Sequence, residues 1–195
     1  MSPGGHLVTT AVACAAVYLG TGNVALTAGL AAGGFLIDLD HVFDYLMFEK
    51  QRDLRPSTFL RYYLEGRVER VVLPLHSYEL LALLTLLAWI FHRDWLWGYV
   101  LGTALHLPLD ILWNGRLVPG GLVHFYSFTV RARAGFRADR FADRSRLATL
   151  EENFWVSFFR GARLKHAAGT PRMASRLTDS GSRQWAPAPP SPDQG

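Results

Sequence analysis

The chain has 195 residues, of which 50% are hydrophobic, with a formal net charge of +4 and a single cysteine. The hydrophobic fraction and the positive mean hydropathy favour a membrane protein over a soluble globular domain. The lone Cys14 excludes an intramolecular disulfide. The arginines flank apolar segments instead of alternating with exposed aromatic residues, so we expect membrane lipids and no nucleic acid as partners.

The first predicted element is a hairpin of two hydrophobic helices. Apolar residues fill 7–19 and 24–37, and the turn sequence Gly-Thr-Gly-Asn separates them at 20–23. Each run of about 14 residues would measure roughly 21 Å as a helix, which is shorter than a hydrocarbon core of about 30 Å. A single bent span over residues 7–37 is the alternative, and the turn sequence favours the hairpin. Residues 1–5 lack the basic residues of a cleavable secretory signal, so we expect the first helix to be retained.

A second hairpin is predicted after a charged connection. Residues 49–70 are charged and contain an aromatic patch typical of a membrane interface. Two further hydrophobic helices are predicted at 71–91 and 95–113, separated by a short polar break. Basic residues concentrate in the connection, whereas the two short turns contain only Arg93, so the positive-inside rule predicts cytoplasmic termini.

The predicted fold is therefore all-α, an integral inner-membrane bundle of about four hydrophobic helices in two hairpins. Residues 1–114 are expected to form this bundle. Residues 115–166 are expected to form a cytoplasmic juxtamembrane segment with an amphipathic helix at 145–164. Residues 167–195 lack periodic apolar positions, and we expect a disordered tail.

Nine ionisable side chains lie in or beside these apolar helices. Each costs about 2.5 to 3.5 kcal/mol to insert into a bilayer, so each needs a partner or a function. Chain direction in an up-and-down bundle brings all nine to the cytoplasmic end. They are His6, Asp38, Asp40, His41, Asp44, His76, Glu79, His106 and Asp110.

Three pairs among the nine have helical spacing, which places both members on one helix face. The pairs are Asp40 with Asp44, His76 with Glu79, and His106 with Asp110. Imidazole and carboxylate together suit zinc, manganese or iron, and zinc is the first choice. A catalytic metal lowers the pKa of its water to about 7, which supplies hydroxide for attack on an ester.

The expected roles divide the nine residues into ligands and supporting groups. We expect Asp44 or Glu79 to act as the general base or to support the ligands. The other seven are expected to hold the metal: His6, Asp38, Asp40, His41, His76, His106 and Asp110.

Simpler roles remain open for three of these positions, and for one neighbouring serine. Asp38 could cap a helix end or face water. Asp44 could pair with Arg52 or Arg55, and Glu79 could pair with Arg70. For Ser77 we expect a capping or supporting hydrogen bond and not a nucleophilic role, because adjacent helical residues such as His76 and Ser77 do not face each other. The remaining histidines lie outside the cluster: His92, His124 and His166.

The segment Gly34-Phe-Leu-Ile-Asp-Leu-Asp-His41 resembles the Pro-Asp-x-Asp-His signature of a family of membrane-bound metal-dependent hydrolases, described as LexA-binding inner-membrane proteins. His6, the pair His76-Ser77 and the element His106-x-x-x-Asp110 match its other landmarks in order, over about residues 4–113. Ile37 replaces the family's proline and Leu75 its threonine, which indicates a divergent member. The resemblance implies that the seven expected ligands form the family's polar site. The His-x-x-x-Asp element is also similar to that of helical zinc-dependent phospholipases C.

The leading hypothesis is a metal-dependent hydrolase that acts on an ester or phosphoester of a lipid or lipid-linked substrate at the cytoplasmic face. The alternative is a non-catalytic membrane scaffold or regulator with a buried polar network and a basic tail that binds a cytoplasmic partner. A metal-ion or proton transporter would need polar residues through the bundle. The helix interiors at 8–19 and 80–90 offer only small hydroxyl groups, so this third hypothesis is disfavoured.

Overall fold

The computed structural model describes residues 3–114, 122–142 and 153–155. Regular structure in this part of the chain is helical, and the predicted all-α fold is confirmed. The α-helices are α1 (Pro3–Thr21), α2 (Val24–Gly34), α3 (Leu39–Met47), α4 (Pro56–Leu64), α5 (Tyr78–Phe91), α6 (Asp94–Asn114), α7 (Leu122–Phe125) and α8 (Phe128–Arg133). Two short 3-10 turns lie at Leu36–Asp38 and Ala138–Arg140. The amphipathic helix expected at 145–164, apart from 153–155, and the tail 167–195 lie outside the described residues.

The turn between α1 and α2 has the geometry that its sequence predicts. Gly22 adopts a positive φ of 64°, which residues other than glycine rarely adopt. The Asn23 side chain accepts the N–H of Leu26 at 3.0 Å and so caps the first turn of α2. The amide of Asn23 also donates to Asp94 at 2.7 Å, which joins this turn to the start of α6.

Helices α2 and α6 touch backbone to backbone through glycines. Two glycines on each helix, four residues apart, line the contact: Gly29 and Gly33 on α2, and Gly98 and Gly102 on α6. A Cβ at Gly33 would lie 2.1 Å from the carbonyl oxygen of Tyr99, and one at Gly102 would lie 2.4 Å from that of Leu30. Small residues at this spacing are typical of closely packed membrane helices.

The second hydrophobic run does not continue as one helix to residue 37. Helix α2 ends at Gly34, and the chain bends by 42° between Val24–Gly34 and Leu36–Met47. The separate helix α3, which carries Asp40 and Asp44, was not predicted. The charged connection 49–70 also contains a helix, α4, which begins at Pro56, a residue suited to the first helical position.

Helix α5 begins seven residues later than predicted, at Tyr78 and not at Val71. The Ser77 hydroxyl accepts the N–H of Leu80 at 3.2 Å, so the expected capping role of Ser77 is confirmed. His76 precedes this cap and lies outside the helix. The prediction that His76 and Glu79 share a helix face is therefore wrong.

The segment after α6 packs against the connection that precedes α5. The Val71 N–H donates to the carbonyl of Phe136, and the Ala138 N–H donates to that of Glu69, both at 2.8 Å. Arg70 and Arg137 form an isolated antiparallel pairing between them. The larger cluster of buried apolar residues lies in this region: Val68, Val71, Leu73, Leu107, Tyr126, Ala138 and Phe141.

By length and composition, one helix in the described residues, Gly4–Thr21 of α1, could cross a membrane, and the bent pair Val24–Gly34 with Leu36–Met47 would make a second. Only 11% of the segment Gly4–Thr21 is buried, whereas the core helix of a globular domain is mostly buried. Its exposed apolar residues include Leu7, Val8, Val12 and Leu19. Exposed apolar surface of this extent marks contact with another apolar phase or partner.

Candidate metal centre

The Nε2 atoms of two histidines face each other at the centre of the polar cluster. The Nε2 atoms of His76 and His106 lie 3.1 Å apart. The Nδ1 atom of His106 donates to the carbonyl oxygen of Gly34 at 2.9 Å, because a carbonyl can only accept. The Nδ1 atom of His76 lies 3.0 Å from both oxygens of Asp40. Anchoring both Nδ1 atoms turns the two Nε2 lone pairs toward one point, where a proton or a metal ion can join them.

One carboxylate lies near both Nε2 atoms, and a second lies near that of His106 only. Oδ1 of Asp38 lies 3.4 Å from Nε2 of His76 and 3.5 Å from Nε2 of His106. Oδ2 of Asp110 also lies 3.5 Å from Nε2 of His106. Tetrahedral zinc with bonds of about 2.0 to 2.1 Å separates its ligand atoms by about 3.3 Å. The separations at this centre fit that value, and the mixture of imidazole and carboxylate is a donor set that zinc accepts.

Asp110 is held by groups from two other parts of the chain. Nε2 of His6, on α1, lies 2.9 Å from Oδ1 of Asp110. The hydroxyl of Tyr126 donates to Oδ2 at 3.0 Å. The ring of His6 also stacks on that of His106, with centroids 3.8 Å apart. Asp110 is therefore oriented from both sides. Tyr126 was not among the predicted site residues, and it lies beyond the last predicted hydrophobic helix.

His41 lies at the accessible side of the cluster. Its Nε2 atom is 3.9 Å from Oδ1 of Asp38, and its ring meets that of His76 edge-on at 5.1 Å. The hydroxyl of Tyr63 donates to the backbone carbonyl of His41 at 2.6 Å and fixes this turn of α3. The side chains of Asp38 and His41 are 29% and 28% exposed, whereas those of His76 and His106 are closed to solvent. Solvent reaches the centre from the Asp38 side.

Three overlapping groups of these residues could hold a metal ion, since the candidate atoms of each lie within 4.8 Å of one another. The structure brings all seven sequence-predicted ligands into these groups. The groups are His6 with His106 and Asp110, Asp38 with His76 and His106, and Asp40 with His41 and His76.

Asp44 lies beside the centre but serves the backbone. Its Oδ2 atom accepts the N–H groups of Val72 and Leu73 at 2.7 and 3.1 Å. Its Oδ1 atom has no hydrogen-bond partner among the described residues, and Arg55, one of the two expected partners, pairs with Asp53 at 2.6 Å. The structure thus gives Asp44 an anchoring role for the loop before α5, which fits the expected role of supporting the ligands, and its role as a base stays a prediction.

Glu79 is turned away from the centre. Its carboxylate accepts the Ser127 hydroxyl at 2.6 Å and the N–H groups of Phe128 and Thr129 at 2.8 and 3.0 Å. These are the free donors at the first turn of α8, where a carboxylate is favourable. The expected roles of Glu79 as a base or as the partner of Arg70 do not fit this position.

The charge of Arg131 is completely buried, and the sequence analysis did not include this residue in the site. Its guanidinium donates to the carbonyl of His76 at 3.0 Å. The only sequence signal was an arginine within the aromatic segment at 125–131.

The environment of His76 favours a positive charge there. Burial opposes protonation of the ring, but the carboxylates of Asp40 and Asp38 outweigh it and raise the pKa of His76 to about 10. A cation between His76 and His106 would therefore be stabilised electrostatically, whether it is a proton or a metal ion.

Comparisons with protein-family models, with curated proteins and with solved structures found no match to this chain.

Proposed function

We propose that this chain is a membrane-bound, metal-dependent hydrolase that cleaves an ester or phosphoester of a lipid or lipid-linked substrate, with zinc as the first candidate metal. The main support is that the Nε2 atoms of His76 and His106 lie 3.1 Å apart, while Asp40 and the Gly34 carbonyl hold their Nδ1 atoms. This arrangement of oriented imidazoles and acidic partners is how proteins prepare histidines as metal ligands.

In this proposal His76, His106 and Asp38 hold the metal, and Asp110 lies beside it, next to His106. When bound, the metal lowers the pKa of a water molecule to about 7 and so supplies hydroxide at neutral pH. Asp40 and the Gly34 carbonyl orient the two histidines.

His41 is the candidate proton acceptor, because it is the imidazole on the accessible side, next to Asp38. His6 and Tyr126 hold Asp110 in position.

The membrane location is supported by helix α3, which buries charged residues and exposes apolar ones. Its buried face carries charged groups, with Asp40 and Asp44 only 3% and 1% exposed. Its outer face is apolar, with Leu39, Phe43 and Met47 all about half or more exposed. In water this distribution would be unfavourable on both faces, whereas lipid outside and a polar centre inside satisfy both.

A lipid substrate is supported by the surroundings of the accessible side. Asp38 lies between Leu36 and Leu39, whose side chains are 48% and 56% exposed. A polar headgroup that reaches Asp38 would bring its acyl chains against these leucines. Helix α2 has 11 residues and is too short to cross a bilayer alone, so in this proposal the chain bends toward the polar centre before it has crossed the hydrocarbon core.

The topology in the proposal is multi-pass, with the termini and the polar centre on the cytoplasmic side of the inner membrane. It follows from the basic residues of the connection and the positive-inside rule. The resemblance of the segment 34–41 to membrane-bound metal-dependent hydrolases is consistent with it.

The first test measures bound metal in protein purified in detergent without added metal, by elemental mass spectrometry. Wild type is compared with the double variant His76→Ala/His106→Ala and with His124→Ala, an exposed histidine on α7. We expect near-stoichiometric zinc, manganese or iron in wild type and in His124→Ala, and loss of it in the double variant. Such a result justifies a screen of lipid phosphoesters and esters with the metal-loaded protein.

The scaffold alternative makes the opposite prediction for the same experiment. A buried network in which a proton joins His76 and His106 needs no metal, and the raised pKa of His76 is compatible with it. Absence of metal in wild type, also after incubation with zinc, manganese or iron(II), would favour the scaffold.

A further inference from the structure

The loop that carries His76 is bound by charged side chains on both sides of its backbone. Residues 72–77 precede α5, and within them the N–H of His76 donates to the carbonyl of Leu73 at 3.1 Å. Asp44 accepts the N–H groups of Val72 and Leu73, as described above. Asp40 accepts those of Leu75 and His76 at 3.1 and 3.3 Å, in addition to holding the ring of His76.

Arg131 supplies the donors for the carbonyl side of the same loop. Its Nη1 atom donates to the carbonyl of His76 at 3.0 Å and to that of Phe125 at 2.7 Å. Its Nη2 atom donates to the carbonyl of Leu73 at 2.9 Å. A guanidinium that is completely buried has a large desolvation cost, which such hydrogen bonds offset. The ring of Phe125 lies 5.4 Å from the guanidinium carbon, within the range of a cation–π contact.

The helix that carries Arg131 is itself fixed to the start of α5. The N–H of Tyr78 donates to the carbonyl of Tyr126 at 3.0 Å. The carboxylate of Glu79 accepts three hydrogen bonds from the first turn of α8. Arg131 lies on α8 within four residues of that turn, so these hydrogen bonds keep its helix against the start of α5.

We propose that Arg131 is a positioning residue: it fixes the backbone of residues 73–76 so that Nε2 of His76 faces Nε2 of His106. The inference deepens the proposed function and rests on it for its link to metal binding. Arg131 does not touch the facing Nε2 atoms and acts through the carbonyl of His76. Residues 122–142, beyond the last hydrophobic helix, are then part of the centre.

The test compares Arg131→Met and Arg131→Lys with Arg133→Met, which removes the same charge from an exposed position on the same helix. Cobalt(II) serves as the probe metal, because its visible absorption reports ligand geometry. Its apparent affinity is measured by competition with a chelator. We expect Arg131→Met to lower the affinity about 10- to 100-fold and to alter the spectrum, as loss of an orienting partner usually does. Arg131→Lys should recover part of the affinity, and Arg133→Met should stay within twofold of wild type.

A second readout does not require metal. Amide hydrogen exchange of peptides that cover residues 72–80 should become faster in Arg131→Met and stay unchanged in Arg133→Met. If wild type binds no cobalt, the metal function fails, and a local increase in exchange still supports the positioning of His76.

If wild type binds cobalt and Arg131→Met retains its affinity, spectrum and exchange, the role of Arg131 is overturned while the metal centre stands. Loss of helical circular dichroism in both Arg131 variants would also overturn it, since Arg131 would then stabilise the whole fold.

Discussion

Asp40 holds the ring of His76 through Nδ1, which lies 3.0 Å from each of its carboxylate oxygens. The same carboxylate accepts the backbone N–H groups of Leu75 and His76. One buried side chain therefore fixes the ring, its tautomer and the loop that carries it. This relationship leaves Nε2 of His76 as the atom that faces His106.

We expect Asp40→Asn to lower metal affinity about 10- to 100-fold, as loss of a carboxylate that orients a ligand histidine typically does. The amide can present its NH₂ group to His76 and so favours the wrong tautomer. Asp139→Asn is the matched control, because Asp139 is an exposed carboxylate that pairs with Arg137. Chelator competition measures the affinity. Equal affinities in wild type and Asp40→Asn would remove Asp40 from the centre.

Metal binding should release a proton from His76. Because the folded pKa of His76 is raised to about 10 from a usual 6.5, the metal-free ring is protonated at neutral pH. The apparent affinity should therefore rise with pH, by up to about tenfold per unit below pH 10. Calorimetric titration in buffers of different ionisation enthalpy counts the protons released. An affinity that stays flat between about pH 6.5 and 8.5 would contradict the proposed protonation state.

The same raised pKa has a consequence for the metal-free protein. The proton on His76 stabilises the fold at pH values below the unfolded pKa of 6.5, and this contribution is lost as the pH rises toward 10. We expect the thermal midpoint of the metal-free protein to fall between about pH 7 and 10, and His76→Gln to weaken that dependence. An unchanged pH dependence in the variant would mean that another group is responsible.

Gly102→Ala should destabilise the protein by about 1 to 3 kcal/mol, the usual cost of overpacking a close contact. The new Cβ would lie 2.4 Å from the carbonyl of Leu30, so α2 and α6 must move apart. The same movement should stretch the bond between His106 and Gly34 and weaken metal binding. Gly20→Ala, on α1 in open space, is the control and should be neutral or slightly stabilising. Thermal unfolding in detergent gives the comparison.

Glu79→Ala should lower stability by about 1 kcal/mol, because it removes the acceptor for the first turn of α8. The content of bound metal should be the same as in wild type, since Glu79 does not face the cluster. Elemental analysis and thermal unfolding of the same preparation test both statements. A complete loss of metal with unchanged stability would restore Glu79 to the centre.

The outer face of α3 should contact lipid. A spin label on Phe43→Cys, in a Cys14→Ser background, should be more accessible to oxygen than to a water-soluble nickel reagent. The reverse is expected for Arg137→Cys, an exposed position outside the apolar helices. Preference of the Phe43 label for the nickel reagent would exclude the lipid-facing assignment of α3.

Local sequence signals were sufficient for several elements. Three predicted features depend only on neighbouring residues, and the structure has all three: the turn at 20–23, the cap at Ser77 and the spacing of His106 and Asp110 on α6. The gathering of the polar residues at one end followed from chain direction and turn positions. The predicted start of α5 was wrong because residues 71–75 are apolar, as in the helix that follows them. Their backbone groups bond instead to Asp44, Asp40 and residues beyond α6.

The sequence by itself determined the helical class, the first hairpin and the set of residues that converge on one centre, because these follow from periodicity and chain direction. Only the tertiary structure decided what each polar residue does there. The bond from Arg131 to the carbonyl of His76 spans 55 residues, and that from Ser127 to Glu79 spans 48. No local pattern encodes contacts at such separations, since they depend on how the segment after α6 folds back onto the loop before α5.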